Sequence, residues 1–239
     1  MTIKQVVVAS IIAIGLSAPC AYAADATLGV DVASAYVFRG ATLNENFVAQ
    51  PSLEISGSDA LSDLSGGVWA NFDLDDDDER GIESGEFSEV DFYASYALPL
   101  KTDPLSISIG YSEYMYPTAS VEADRELNAE FAFDAMLSPT IGLYYGLDGG
   151  IEEQVFCELS LEHEAELNND LSLILGAGSG FLFASEESGG EDGISFAKVS
   201  AGLSYGIVSA DLTYYFETDE DVLVIDTDLI ARVGVSGSF

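Results

Sequence analysis

The chain has 239 residues, and its 42 Asp and Glu against 7 Lys and Arg give a formal net charge of −35. That excess excludes nucleic acid as a partner, whose affinity comes from Lys and Arg neutralising phosphates, and excludes polybasic attachment to anionic lipid. Mean hydropathy is nevertheless positive, at +0.23, so the acidic and apolar characters must be segregated along the chain.

The N-terminus comes first. Lys4 is the only charge ahead of the apolar residues 6–16, and Pro19 and Ala21-Tyr22-Ala23 follow. A basic start, a short apolar run and an A-x-A site make a secretory signal peptide. The expectation is cleavage after Ala23, leaving one domain over 24–239. Pro19 directly before Cys20 disfavours lipoprotein processing, and cleavage leaves Cys157 as the lone cysteine, so no intramolecular disulfide forms. Beyond residue 24 no apolar stretch approaches the roughly 20 residues of a membrane helix.

The rest of the chain alternates. Leu127, Ala129, Phe131, Phe133, Ala135 and Leu137 interleave with Asn128, Glu130, Ala132, Asp134 and Met136; Val155, Cys157, Leu159 and Leu161 interleave with Phe156, Glu158, Ser160 and Glu162. Val208, Ala210, Leu212, Tyr214 and Phe216 do the same with Ser209, Asp211, Thr213, Tyr215 and Glu217. Period two puts the two sets on opposite faces of a strand. About twelve such segments begin near Thr27, Phe47, Leu64, Phe87, Leu105, Leu127, Thr140, Val155, Leu171, Ser195, Val208 and Leu223. Each is close to the ~9–11 residues that a tilted strand needs to cross a bilayer.

Connections on one side, 40–46, 75–86, 117–125, 148–152, 185–193 and 218–221, are mostly longer and acidic. Those on the other, 59–63, 99–103, 138–139, 166–170 and 206–207, are short. That asymmetry is the pattern of an outer-membrane barrel, and backbone in hydrocarbon must be fully paired, which closes the sheet. The fold class expected is all-β: a closed antiparallel transmembrane barrel of about twelve strands. A soluble β-sandwich would need the same apolar faces buried between two sheets. The last strand places Leu229, Ala231, Val233, Val235, Gly237 and Phe239 on one face. The terminal Phe239 after such a strand fits an assembly signal read by the barrel-assembly machinery. Pro51 sits awkwardly, since proline donates no ladder hydrogen bond; a bulge or the membrane boundary is expected there.

Val32-Ala33-Ser34-Ala35-Tyr36-Val37-Phe38-Arg39-Gly40 resembles the opening strand of the TorF-type porins, also known as the Gcw_chp family of bacterial proteins of unknown function. Pro51-Ser52-Leu53, Gly67-Val68-Trp69-Ala70-Asn71 and Glu89-Val90-Asp91-Phe92-Tyr93 match the next segments of that family. The resemblance is sharp over residues 30–100 and architectural beyond. Ala41-Thr42-Leu43 stands where many relatives carry a more polar I-S-Q-like continuation. The resemblance implies a barrel and a pore, without a solute.

With the apolar faces toward lipid, Asp91, Glu130, Asp134, Glu158, Glu162, Asp211, Asp226 and Asp228 are expected to line the lumen. Arg39, Lys198 and Arg232 point inward from the segments beginning near Thr27, Ser195 and Leu223, forming a basic patch opposite an acidic wall. Rings of carboxylates favour cations. The function expected is an outer-membrane channel for small solutes or ions, preferring cations; the alternative is a non-conducting barrel, plugged by its own side chains, acting through its acidic loops. Outer-membrane lipid is the surrounding partner, and no cofactor is expected.

The acidic run 73–79 lacks the Gly and Glu spacing of a calcium loop, having Asp78 and Ser84 there, and reads as a solvated loop. The single histidine, His163, and Cys157 fall on the apolar face, and no nucleophile motif accompanies them; no enzymatic activity is expected. Gly176, Gly178 and Gly180 fit close packing in a curved strand.

Overall fold

The structure, a computed structural model, describes residues 24–239 except 59–60, 77–80, 82, 101–102, 186–189, 217, 219–221 and 223–226. The expected signal peptide lies outside the described residues. Among the described residues fourteen strands occur in order: β1 (Ala24–Ala33), β2 (Tyr36–Phe38), β3 (Ala41–Asn44), β4 (Val48–Gly57), β5 (Leu64–Asp73), β6 (Phe87–Ala97) and β7 (Leu105–Met115), then β8 (Asp124–Phe133), β9 (Thr140–Asp148), β10 (Val155–Asn168), β11 (Leu171–Phe183), β12 (Gly193–Tyr205), β13 (Val208–Phe216) and β14 (Leu229–Ser238).

Twelve of these close into one antiparallel barrel, with β1 joining β14 on one side and β4 on the other. The closing register runs from Thr27 opposite Ser238 to Ala33 opposite Arg232. Closure matters energetically, because it leaves no edge whose backbone groups hydrocarbon would strip of water. The expected twelve-strand barrel is therefore what the chain forms.

Alternation decides which face is which. Ile109, Leu127, Leu143, Leu159, Leu175, Val199, Leu212 and Val233 are all exposed on the outside, a circumferential apolar band. A soluble protein would not leave so broad a band in water. The opposite parity, occupied by Ser, Gly, Asn and carboxylates, faces the lumen. The start of β1 and the end of β14 lie at one rim, where Phe239 N–H donates to Ala26 O at 2.9 Å. Connections at this terminal rim span 58–63, 98–104, 134–139, 169–170 and 206–207; those at the far rim span 34–47, 74–86, 116–123, 149–154, 184–192 and 217–228. The long connections thus share one rim.

Three details differ from expectation. The first barrel strand ends at Ala33, and 34–47 is an inward-folded hairpin rather than a strand and a short outer loop. The last strand begins at Leu229, because its ladder with β13 reaches only to Tyr214 opposite Leu229. Pro51 lies in the middle of β4, opposite Val30 of β1. On its other side the ladder with β5 breaks between Ala49–Phe72 and Ser52–Trp69 and resumes without a register shift. The missing donor is absorbed by omitting rungs rather than by a bulge, and Gln50 Nε2 donates instead to Asn71 Oδ1 at 3.1 Å.

Candidate functional site

The hairpin 34–47 crosses the lumen. Ser34 still pairs with β14, donating its N–H to Ala231 O at 2.9 Å and accepting the Ala231 N–H on its hydroxyl at 3.0 Å. Beyond it the chain leaves the wall. β2 and β3 pair through Phe38 opposite Ala41, so the turn consists of Arg39 and Gly40, with φ of 52° and 95°. Two positive φ values at a two-residue loop are the mark of a type I′ hairpin. Glycine suits its second position on conformational grounds and for space: a Cβ at Gly40 would overlap the Ser195 carbonyl oxygen and lie 2.9 Å from Phe196 Cβ.

Each hairpin side chain finds a different wall strand. Tyr36 donates its hydroxyl to Glu89 Oε2 on β6 at 2.9 Å, and its ring lies 5.4 Å from Trp69 on β5. Phe38 meets Tyr114 of β7 edge-on at 5.5 Å. Val37 packs on the cluster of Phe156, Phe196 and Tyr215 from β10, β12 and β13. Asn44 Nδ2 donates to Asp73 Oδ1 at 2.7 Å, and Asn71 Nδ2 donates to the same oxygen at 3.0 Å.

Arg39 is the centre of the arrangement. Its two terminal nitrogens donate to the two oxygens of Glu126 on β8, both at 2.9 Å. The guanidinium carbon stands 4.2 Å from the Tyr144 ring centroid, 4.6 Å from Phe156 and 4.8 Å from Phe38. Tyr114 donates its hydroxyl to Glu126 Oε1 at 2.7 Å, fixing the carboxylate. Planar fork-to-fork pairing is the strong form of the Arg–carboxylate contact, and cation–π attraction grows with desolvation. Removing one partner of such a pair costs about 3–5 kcal/mol, since it strands the other charge in a buried site.

At this height solvent is excluded over most of the circumference: Asn71, Glu126 and Phe196 are 0%, 1% and 1% exposed. A glycine makes room for the aromatic part of the seal. A Cβ on Gly180 would come within 2.5 Å of Phe156 Cζ and 2.6 Å of Phe196 Cε1, so the close packing expected of that glycine run takes the form of two rings laid over bare backbone.

Toward the terminal rim the lumen is wetter. A cavity of about 250 Å³ is lined by Tyr93, Ser95, Ser108, Asn128, Glu130 and Tyr144, among others. Glu158 and Lys198 pair at 3.5 Å, and Arg232 Nε donates to Asp211 Oδ1 at 2.8 Å. Asp91 sits on β6 beside Glu89, and Glu162 on β10. Asp134 falls in the turn after β8, its N–H on Pro104 O. Asp228 is an exposed bend residue at the far rim whose carbonyl accepts from Tyr215 N–H at 2.7 Å, not a strand residue. Asp226 lies outside the described residues.

The expected basic patch is not formed. Arg39 leaves the first strand with the hairpin and reaches β8, while Lys198 and Arg232 each hold their own carboxylate. Glu126, Tyr144 and Phe156 are the residues that sequence reasoning missed. Their signal was present: Glu126 has the parity of Asn128 and Glu130, and Phe156 is a bulky aromatic on a polar face. The acidic run 73–79 is described only in part; Asp76 accepts the Ser84 N–H at 2.7 Å within its own loop.

A model of bacterial proteins of unknown function, Gcw_chp, matches residues 18–144. The chain belongs to the Gcw_chp family. The matched segment contains the whole hairpin and its partners through Tyr144. No curated protein sequence matches this Gcw_chp chain. Among solved structures it is similar to the NanC porin, with a TM-score of 0.52 at 12% identity over 87% of this chain and 98% of that one. The KdgM porin in complex with disordered oligogalacturonate matches with a TM-score of 0.51 at 12% identity, over 90% and 99% of the two chains. An outer-membrane channel from Pseudomonas putida F1 gives 0.52 at 10% identity, over 93% and 99%. At such identities the likeness is one of fold: the Gcw_chp barrel has the architecture of outer-membrane porins and channels.

Proposed function

We propose that this protein is a porin-like channel of the TorF type in a bacterial outer membrane, passing small solutes or ions with a preference for cations. Export depends on residues 1–23, and Phe239 presents the last strand to the barrel-assembly machinery. Asp91, Glu130, Asp134, Glu158, Glu162, Lys198, Asp211 and Arg232 line the path, and the hairpin 34–47 sets its narrowest point.

One observation carries the reading: inside a lipid-faced barrel, the described lumen cations are already matched to carboxylates, while Glu130 and Glu162 have no cation partner among the described residues. A lumen with surplus negative charge attracts cations and repels anions. His163 takes no part; its Nδ1 lies 2.9 Å from Met136 O on the outward face. The test is conductance of the refolded protein in a planar bilayer under a salt gradient. A reversal potential of cation-selective sign supports the reading, and anion selectivity overturns its electrostatic part.

The burial around the hairpin favours a second reading, a barrel that does not conduct and serves as a structural or surface-interaction protein. Replacing 35–46 by a short Gly/Ser link separates the two. Conductance that appears or grows supports the channel, whereas a folded barrel silent with and without the hairpin supports the second reading.

A further inference from the structure

The guanidinium of Arg39 occupies a box built mostly by the barrel. Glu126 from β8 supplies the carboxylate, held by the Tyr114 hydroxyl of β7. Tyr144 from β9 and Phe156 from β10 supply ring faces at 4.2 and 4.6 Å, themselves 5.9 Å apart and tilted by 48°. The hairpin contributes only Phe38 and the cation itself. A carboxylate presented end-on, flanked by aromatic faces and shut off from water, is the recognition chemistry of a planar organic cation.

We propose that Glu126, Tyr144 and Phe156 form a binding site for guanidinium-bearing solutes, of which free arginine is the simplest, and that Arg39 is a tethered ligand filling it in the resting protein. Two features set this apart from an ordinary internal ion pair. Arg39 is delivered at the tip of a two-residue turn, at a φ of 52° that non-glycine residues seldom adopt, rather than from a wall strand. And the box walls come from four consecutive strands, so they stay together when the hairpin leaves. A free guanidinium compound therefore competes with Arg39 for one site. The inference goes beyond the channel reading and stands whether or not the barrel conducts.

The test uses the mature protein refolded in detergent micelles, with Arg39→Ala and Arg39→Gly as parallel variants. Arg39→Gly removes the guanidinium and also relaxes the positive φ, so it protects the experiment if the alanine variant refolds poorly. Methylguanidinium, methylammonium and urea are titrated by calorimetry. The expected result is saturable one-site binding of methylguanidinium by the variants in the millimolar range open to so small a ligand. Methylammonium binds more weakly and neutral urea not at all, while the wild type, its box already filled, binds methylguanidinium about tenfold more weakly or less. Adding Glu126→Gln to either variant abolishes the binding. Folded Arg39 variants that show no saturable binding, or bind equally with Glu126→Gln present, overturn the proposal.

Discussion

Gly40→Ala tests whether the hairpin seats as described. An alanine at a φ of 95° carries about 1–2 kcal/mol of left-handed strain. Its Cβ also meets the Ser195 carbonyl and Phe196, and overpacking of this kind costs about 1–3 kcal/mol. Together that is about 2–5 kcal/mol against the seated state, roughly thirtyfold to a few thousandfold in the ratio of seated to displaced hairpin. The clash is confined to the turn and to Ser195 and Phe196 of β12, away from the ladders that join β1 to β14 and β4. The reporter is built in, because Trp69 is the one tryptophan in the chain and its ring lies 5.4 Å from Tyr36 of the hairpin. The variant should keep the heat-modifiable migration of a folded barrel, shift its tryptophan emission to longer wavelength, become more quenchable by acrylamide, and conduct more in a planar bilayer. A folded variant with wild-type emission, quenching and conductance would refute the close approach of the turn to β12.

Other outcomes rest on single contacts. Lys198→Gln frees Glu158 from its 3.5 Å partner and should move the reversal potential further toward cations, whereas Glu130→Lys should move it back; salt-gradient recordings read both. Pro51→Val restores a backbone donor where the β4–β5 ladder omits rungs and should raise the urea midpoint of folding into vesicles by the equivalent of about 0.5–1.5 kcal/mol. Asp76 is held below the usual aspartate range by the Ser84 N–H and then the Ser84 hydroxyl. The folded pKa being depressed, the stabilisation from the Asp76–Ser84 contact is present above the ordinary aspartate value and is lost as pH falls through the lower one. The Ser84 amide resonance tracked through an acid titration should show this, and Ser84→Ala should move the transition to higher pH.

The barrel was legible because a lipid face and a water face impose opposite chemistry on successive residues. Leu229, Val233 and Val235 could sit only on the outside, and Glu89 to Tyr96 or Val208 to Phe216 alternate over their whole length. The hairpin was not legible for the same reason. Tyr36-Val37-Phe38-Arg39 continues the extended run of β1 and puts Arg39 on the polar parity of Asp31, and period two does not distinguish a strand in the wall from one folded into the lumen. Local sequence held a hint in Arg39-Gly40, a pair able to take a two-residue turn, but the partners that draw it inward come from strands far along the chain. The same limit misplaced the start of the last strand, since Asp228 continues the alternation of β14 although the strand itself begins at Leu229.

Those distant partners also set an order of events. Arg39 and Glu126 are separated by 87 positions, and the turn rests on Ser195 and Phe196, further along still. When β1 and β4 first come together, nothing exists for the hairpin to dock against. The cavity it fills is built by later strands, from β5 to β13. The surface that seats the hairpin is therefore complete only once β5 to β13 stand side by side, so a segment near the start of the chain takes its place by contacts with most of the rest of it.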